Sequence, residues 1–346
     1  MATREVFLQR MKSLTLQNIQ KAADRFAVSH EITTRMCDLI RDAGQYCFLV
    51  WWWQVSWSLS PFMHTYNAVK QNLDFGYMLR DMDQFDGSIQ EVMDMRKQDS
   101  MFLGGNITMP YKLDVYEYML SHALCDDEAY RALAVNTVVA RTQDMIGYNT
   151  DIMWIVRPIQ HTFASKKQDV PEHAVILGAW GAAKAAVVAC LKLWMKHICI
   201  ANRTTDEADL IIKHMRHFIE EDVVFESIEY NVTKNPLILK KYLTSPSIVI
   251  SSLPFGFKPS LPQSSMSFDV IDACYDNIIA VFDLVYDINA SYTPLTKYIT
   301  QKYPDIHVCT GQQMVVHQAK YGFEMRNLWS DFDTKELEDL FQKASD

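Results

Sequence analysis

Three short runs carry side chains able to handle an oxygen-rich acid. Ser58-Leu59-Ser60-Pro61 sets two hydroxyls at i and i+2 just ahead of an apolar, helix-like stretch. Such hydroxyls, with the backbone donors of a helix start nearby, can hold a carboxylate, and the same arrangement also serves plain helix capping, with Ser60 as N-cap. Asn106-Ile107-Thr108-Met109-Pro110-Tyr111-Lys112 places an amide, a hydroxyl and an ammonium at the end of one strand and turn. A lysine here can protonate or deprotonate an alcohol oxygen during carbonyl reduction if its pKa is lowered or its charge is partnered; otherwise it is a solvated surface charge. Gly147-Tyr148-Asn149-Thr150-Asp151 ends in a carboxylate that can partner Lys112, or that simply closes a turn. Asn136, in AVNTV, can add an amide to a polyhydroxylated substrate.

These runs need a scaffold, and the hydrophobic pattern supplies one. Residues 1–45 space their apolar side chains three and four apart, as a helical extension. From Tyr46 (YCFLVWWWQV) strands and helices alternate, and Ala134–Val139 with Met145–Tyr148 reads as a hairpin. After the polar stretch Ser165–Pro171 a second alternation begins: strand AVILGA, helix AAKAAVVACLKLWMK, strand HICIANR, helix DEADLIIKHMRHF, strand VVFESI. SIVISSL, FDVIDA and AVFDLVY are expected to be its later strands. This is an α/β chain with mainly parallel sheets. The expected division is a helical extension over 1–45, a substrate-binding domain over 46–155, a doubly wound Rossmann-like domain over 156–310 with a cleft between the two, and helices over 311–346 that pack back on the first domain.

Bulk properties narrow the function classes. With 346 residues, 49% hydrophobic and 22% charged, the chain has material for two cores. The net charge of −9 argues against a nucleic-acid binder, while leaving room for a small anionic substrate met by a few local cations. Seven scattered cysteines without a CxxC pair suit a reducing cytoplasm and supply neither a disulfide framework nor a metal site. The first residues lack the apolar region of a signal peptide, and CFLVWWW falls far short of the roughly 20 residues a membrane span needs.

Taken in order, SLSP, NITMPYK, AVNTV, GYNTD, a glycine-bearing strand–helix turn, NRT, DLVY, TPL and Gly311-Gln312-Gln313-Met314 with Gln318-Ala319 resemble the shikimate/quinate dehydrogenase family over residues 46 to 330. The resemblance implies hydride transfer between NADP(H) and a cyclic hydroxy or keto acid, 3-dehydroshikimate to shikimate or a quinate-like relative, in aromatic amino acid biosynthesis through the chorismate pathway. It implies Lys112 and Asp151 as the catalytic pair. Ser58, Ser60, Thr108, Asn136, Thr150, Tyr286 and Gln318 would hold the substrate; Gly178, Ala179, Gly181, Ala182, Asn202, Arg203 and Thr204 would hold the cofactor. The implied partner is a shikimate-like hydroxy carboxylic acid, and a homodimer remains open.

The sequence departs from the pattern at several points. Gly178 and Ala183 occupy the first and third slots of the GxGxxG/A loop, but Trp180 stands in the second, where glycine lets the backbone approach the pyrophosphate. Arg203 follows its strand with no acidic residue at the strand end, which favours a 2′-phosphate and hence NADP. Trp57, Trp154 and Ser251 replace the family's usual histidine, glycine and asparagine. A chain that kept the substrate residues and lost the cofactor would be a binding protein or sensor instead.

Overall fold

The structure is a computed structural model that describes residues 4–42, 44–51, 58–81, 89–108, 110–122, 124–142, 144–179, 181–219, 222–229, 238–253, 268, 271–272, 274–286, 292–326 and 334–343. The chain folds as two compact units, Met1–Thr150 with Gln318–Asp346, and Asp151–His317.

In the first unit the near-continuous apolar run from Gln45 forms strand β1 (Gln45–Trp51), with β2 (Phe75–Asp81) and β3 (Phe102–Ile107) parallel on either side of it. The hairpin β4 (Thr137–Arg141) and β5 (Asp144–Tyr148) continues the sheet antiparallel, giving the order β2-β1-β3-β4-β5. The helices are α1 (Arg4–Arg25), α2 (His30–Asp42), α3 (Ser60–Lys70), α4 (Ile89–Gln98), α5 (Lys112–Ser121) and α6 (Asp127–Ala132). α1 and α2 belong to this unit: they pack on each other, on β2 and on α3. The Leu79 N–H of edge strand β2 donates to the buried Thr15 hydroxyl of α1 at 2.9 Å, so the helix covers a backbone donor that an open edge would expose. The core under the sheet gathers Phe48, Met78, Phe102, Ile107, Val115, Met119 and Val138.

The second unit opens with α7 (Thr150–Ser165), which belongs to it from Asp151 on. Its strands β6 (His173–Leu177), β7 (His197–Asn202), β8 (Val224–Glu229), β9 (Ser247–Ser251), β10 (Ile278–Asp283) and β11 (His307–Cys309) are all parallel, in the order β11-β10-β9-β6-β7-β8. Numbered within the unit this is 6-5-4-1-2-3, the doubly wound order, with the reversal point between β6 and β9. Its further helices include α8 (Ala182–Lys192), α9 (Asp206–Met215) and α10 (Pro294–Lys302); α11 (Gly311–Met325) counts with the first unit from Gln318 on, as does α12 (Thr334–Lys343). No helix of the described residues is long and apolar enough to cross a membrane.

The local pattern misleads in three places. FDVIDA is not a strand: Phe268, Ile271, Asp272 and Cys274 are helical, and the three-residue spacing of Phe268, Ile271 and Cys274 puts all three against the core of the second unit. The remaining strand is instead β11, too short at three residues to display a period. α8 stops at Lys192 rather than running through LWMK; Trp194 takes a left-handed φ of 61°, and the Met195 N–H closes back on the Cys190 carbonyl at 3.1 Å.

Candidate active site

Asn136 is the junction of the first unit's candidate residues. Its carbonyl accepts the Ile107 N–H at the end of β3 (2.7 Å), and its N–H donates to Tyr148 O at the end of β5 (3.0 Å). Its side-chain Oδ1 accepts the Thr150 N–H (2.7 Å) and lies 3.1 Å from the Thr150 hydroxyl. The next residue upstream, Val135, donates its N–H to the carbonyl of Lys112 at 3.0 Å. A turn closed by Tyr111 N–H to Thr108 O (3.0 Å) separates Thr108 from half-buried Lys112, the first residue of α5. Four candidates, Thr108, Lys112, Asn136 and Thr150, are thereby tied into one cluster at the ends of β3 and β5.

The cluster rests on a polar network. Tyr77 Oη donates to Asn106 Oδ1 at 2.8 Å, Arg326 Nη2 reaches the same oxygen at 3.1 Å, and Asn106 Nδ2 donates to Thr137 Oγ1 at 2.9 Å. Thr137 Oγ1 lies 2.8 Å from Thr150 Oγ1 and donates to Asn136 Oδ1 at 3.0 Å. Two donors on Asn106 Oδ1 fix the flip of that amide, and the Thr150 N–H fixes that of Asn136. Buried His64 stacks between Tyr77 (centroids 4.2 Å) and Phe323 (5.1 Å). Burial, reinforced by the Arg326 charge, holds its pKa well below the ordinary histidine value, so the ring is neutral.

Ser58 and Ser60 form a second group at the start of α3. Ser60 is not the N-cap but the first helical residue; Ser58, two residues earlier, accepts the Ser60 N–H on its hydroxyl at 3.2 Å. Pro61 has no N–H to satisfy, so the capping hydroxyl can sit further back. Asp151 stands in the first turn of α7, buried at 2% exposure, where the helix end favours a carboxylate. It counts with the second unit, as does half-buried Tyr286 after β10; Gln318, on α11, counts with the first. Gly311 opens α11 in close contact with the Val285 carbonyl: a Cβ there would lie 2.5 Å from that oxygen. Trp154 is buried in α7. Trp57 and Trp180 lie outside the described residues.

In the second unit the turn after β6 keeps the first and third small-residue positions of a dinucleotide loop, Gly178 and Ala183. Gly178 holds φ +93°, donates its N–H to Ala201 O at 2.8 Å, and would press a Cβ to 2.7 Å from Ser252 Oγ. Gly181 caps α8, and a Cβ there would meet no described residue beyond its chain neighbours within 4 Å. The first turn of α8 carries no acidic residue, and Ala183 is fully buried against the sheet. A helix N-terminus at the reversal point of a doubly wound sheet fits a pyrophosphate. Asn202, which ends β7, is buried, while Arg203 and Thr204 after it are exposed. Thr204 Oγ1 donates to Glu207 Oε2 at 2.9 Å and Asn202 Nδ2 donates to Thr204 O at 3.0 Å, shaping the loop around Arg203.

Tyr77, Thr137, His64, Arg326 and Glu207 were not legible as parts of these sites. Each acts through a partner distant in sequence or through burial; only the TxxE spacing of Thr204 and Glu207 gave a local signal.

Residues 51–138 match the family described as the shikimate dehydrogenase substrate binding domain. The shikimate dehydrogenase (NADP(+)) of Caldicellulosiruptor saccharolyticus is 26% identical over 294 residues, covering 83% of this chain and 95% of that protein. Shikimate 5-dehydrogenase from Listeria monocytogenes, solved with shikimate and NAD, superposes with a TM-score of 0.68 at 21% identity over 86% of this chain and 96% of that one. Quinate dehydrogenase from Corynebacterium glutamicum, solved with NAD, gives 0.69 at 21% identity over 87% and 100%. The fold is thus the two-domain plan of these proteins, a substrate-binding domain and a Rossmann-like domain, and the resemblance read from the motifs is borne out.

Proposed function

We propose that this chain, a relative of the shikimate and quinate dehydrogenases, is an NADP-dependent oxidoreductase that interconverts 3-dehydroshikimate and shikimate or a quinate-like acid. The observation that carries the reading is the Asn136 junction, which ties Thr108, Lys112 and Thr150 into one rigid cluster of donors and acceptors. A hydroxylated ring needs several such partners held in place before reaction. Ser58 and Ser60 take the carboxylate; Thr108, Asn136, Thr150, Tyr286 and Gln318 take the ring oxygens or share the carboxylate.

Gly178, Ala179, Gly181 and Ala182 would hold the pyrophosphate of NADP and Asn202, Arg203 and Thr204 its 2′-phosphate, and the cofactor, when bound, would supply or receive the hydride. In the reducing direction Lys112 gives a proton to the ketone oxygen as it becomes an alcohol, and recovers one from solvent. Asp151 is the second member of the proposed catalytic pair and shares the proton handling. The seven cysteines, all free thiols, support a reducing cytoplasmic setting.

Titration calorimetry with NADPH and NADH tests the cofactor side. NADPH is expected to bind more tightly, and Arg203→Ala should weaken it by about tenfold, the worth of one charge-assisted contact, with NADH unchanged. Failure of the wild type to bind NADPH would count against the proposal. Restoration of binding in Trp180→Gly would trace that failure to the indole in the second slot of the loop.

A further inference from the structure

α1 buries Met11, Thr15, Asn18, Ile19, Ala22 and Ala23 along one face at spacings of three and four, and Phe26, just past its end, is buried as well. An amide in such a stripe is costly unless it is hydrogen-bonded. Asn18, 3% exposed, donates from Nδ2 to the carbonyl oxygen of Ser58 at 2.9 Å. Ser58 itself is 3% exposed and holds the Ser60 N–H on its hydroxyl. The residue proposed to grip the carboxylate is therefore fixed through its carbonyl by α1 and through its side chain by the start of α3.

α1 is well placed to serve as an anchor. One turn before Asn18, Thr15 takes the Leu79 N–H of β2. Two turns after it, Phe26 packs on Phe62 of α3 (centroids 5.3 Å) and on Phe341 of α12 (4.7 Å). The quinate dehydrogenase above is matched along its whole length by 87% of this chain. That leaves about 45 residues, 13% of 346, beyond the matched share of the chain.

We propose that Asn18 is a positioning residue of the Ser58–Ser60 carboxylate grip, which makes the N-terminal helix part of the substrate site. This rests on the reading of those serines given above. Asn18→Leu keeps the side-chain shape and removes the donor; Asn18→Ala serves if the leucine variant does not fold. Two readouts are taken on the full chain. Hydrogen–deuterium exchange of the segment containing Ser60 should accelerate in the variant. The KM for shikimate should rise about three- to tenfold, as expected for one lost hydrogen bond, with kcat within about twofold. Unchanged exchange and unchanged KM in a folded variant would overturn the proposal. If the wild type does not act on shikimate, the proposed function fails, and the exchange measurement alone still decides whether Asn18 positions the serines.

Discussion

Lys112→Met is expected to lower kcat for shikimate oxidation by about 10²- to 10⁴-fold, the usual worth of a positioned acid–base group. The substitution removes only the ammonium. The backbone carbonyl of Lys112, which accepts the Val135 N–H and so supports the Asn136 junction, is unchanged, and the half-buried aliphatic stem is replaced by one of similar length. Folding and NADPH affinity should follow the wild type, so the loss should fall on the chemical step. Steady-state kinetics with calorimetric control of cofactor binding checks this. A variant that keeps more than about a tenth of the wild-type kcat would remove Lys112 from the proton path.

A second large effect concerns pH and stability in the Rossmann-like unit. Asp283 ends β10 at 1% exposure, accepts the Thr293 hydroxyl at 2.5 Å and the Val285 N–H at 3.3 Å, and has the Ser251 hydroxyl beside it. Burial outweighs these donors and pushes its carboxyl up to about 7. Unfolded, the same group ionises near 3.9. Between these values the unfolded chain has released its proton and the native chain has not, so this residue makes stability fall as pH rises through the window. The cost is complete above about pH 7 and is at most ~4 kcal/mol. Asp283→Asn removes the titration, while the Thr293 hydroxyl can turn to meet the amide. The stability of the variant relative to wild type should grow by roughly 2–4 kcal/mol between pH 4 and 7 in urea unfolding. Parallel profiles would mean that Asp283 ionises normally in the native protein.

Much of the candidate site could be read from the sequence because it is built from short runs. SLSP, NITMPYK, AVNTV and GYNTD each keep their chemistry within a few residues, and the structure links three of them through Asn136. The parallel sheets followed from apolar runs alternating with helical spacing. What escaped was set by distance or by brevity. FDVIDA is as apolar as a strand, yet its described residues Phe268, Ile271 and Asp272 are helical, with Phe268 and Ile271 against the core of the unit, and the missing strand is three residues of HVC. The exposed Trp194 gave no sign that α8 would end before it. Arg326, 6% exposed and bound to Asn106 across 220 residues, belongs to the polar network only because the C-terminal end of α11 returns to the first unit. Asn18 in a helical stripe reads as an ordinary polar interruption until its bond to Ser58 is seen.

The proposed oxidoreductase activity is tested most directly by incubating the purified protein with shikimate and NADP+ and following the appearance of NADPH, with quinate and NAD+ in parallel. Turnover of shikimate or quinate is expected with NADP+, reduced with NAD+, and lost in Lys112→Met. Binding of shikimate and NADP+ with no NADPH formed from either acid would contradict it, and would leave a protein that holds the acid without oxidising it.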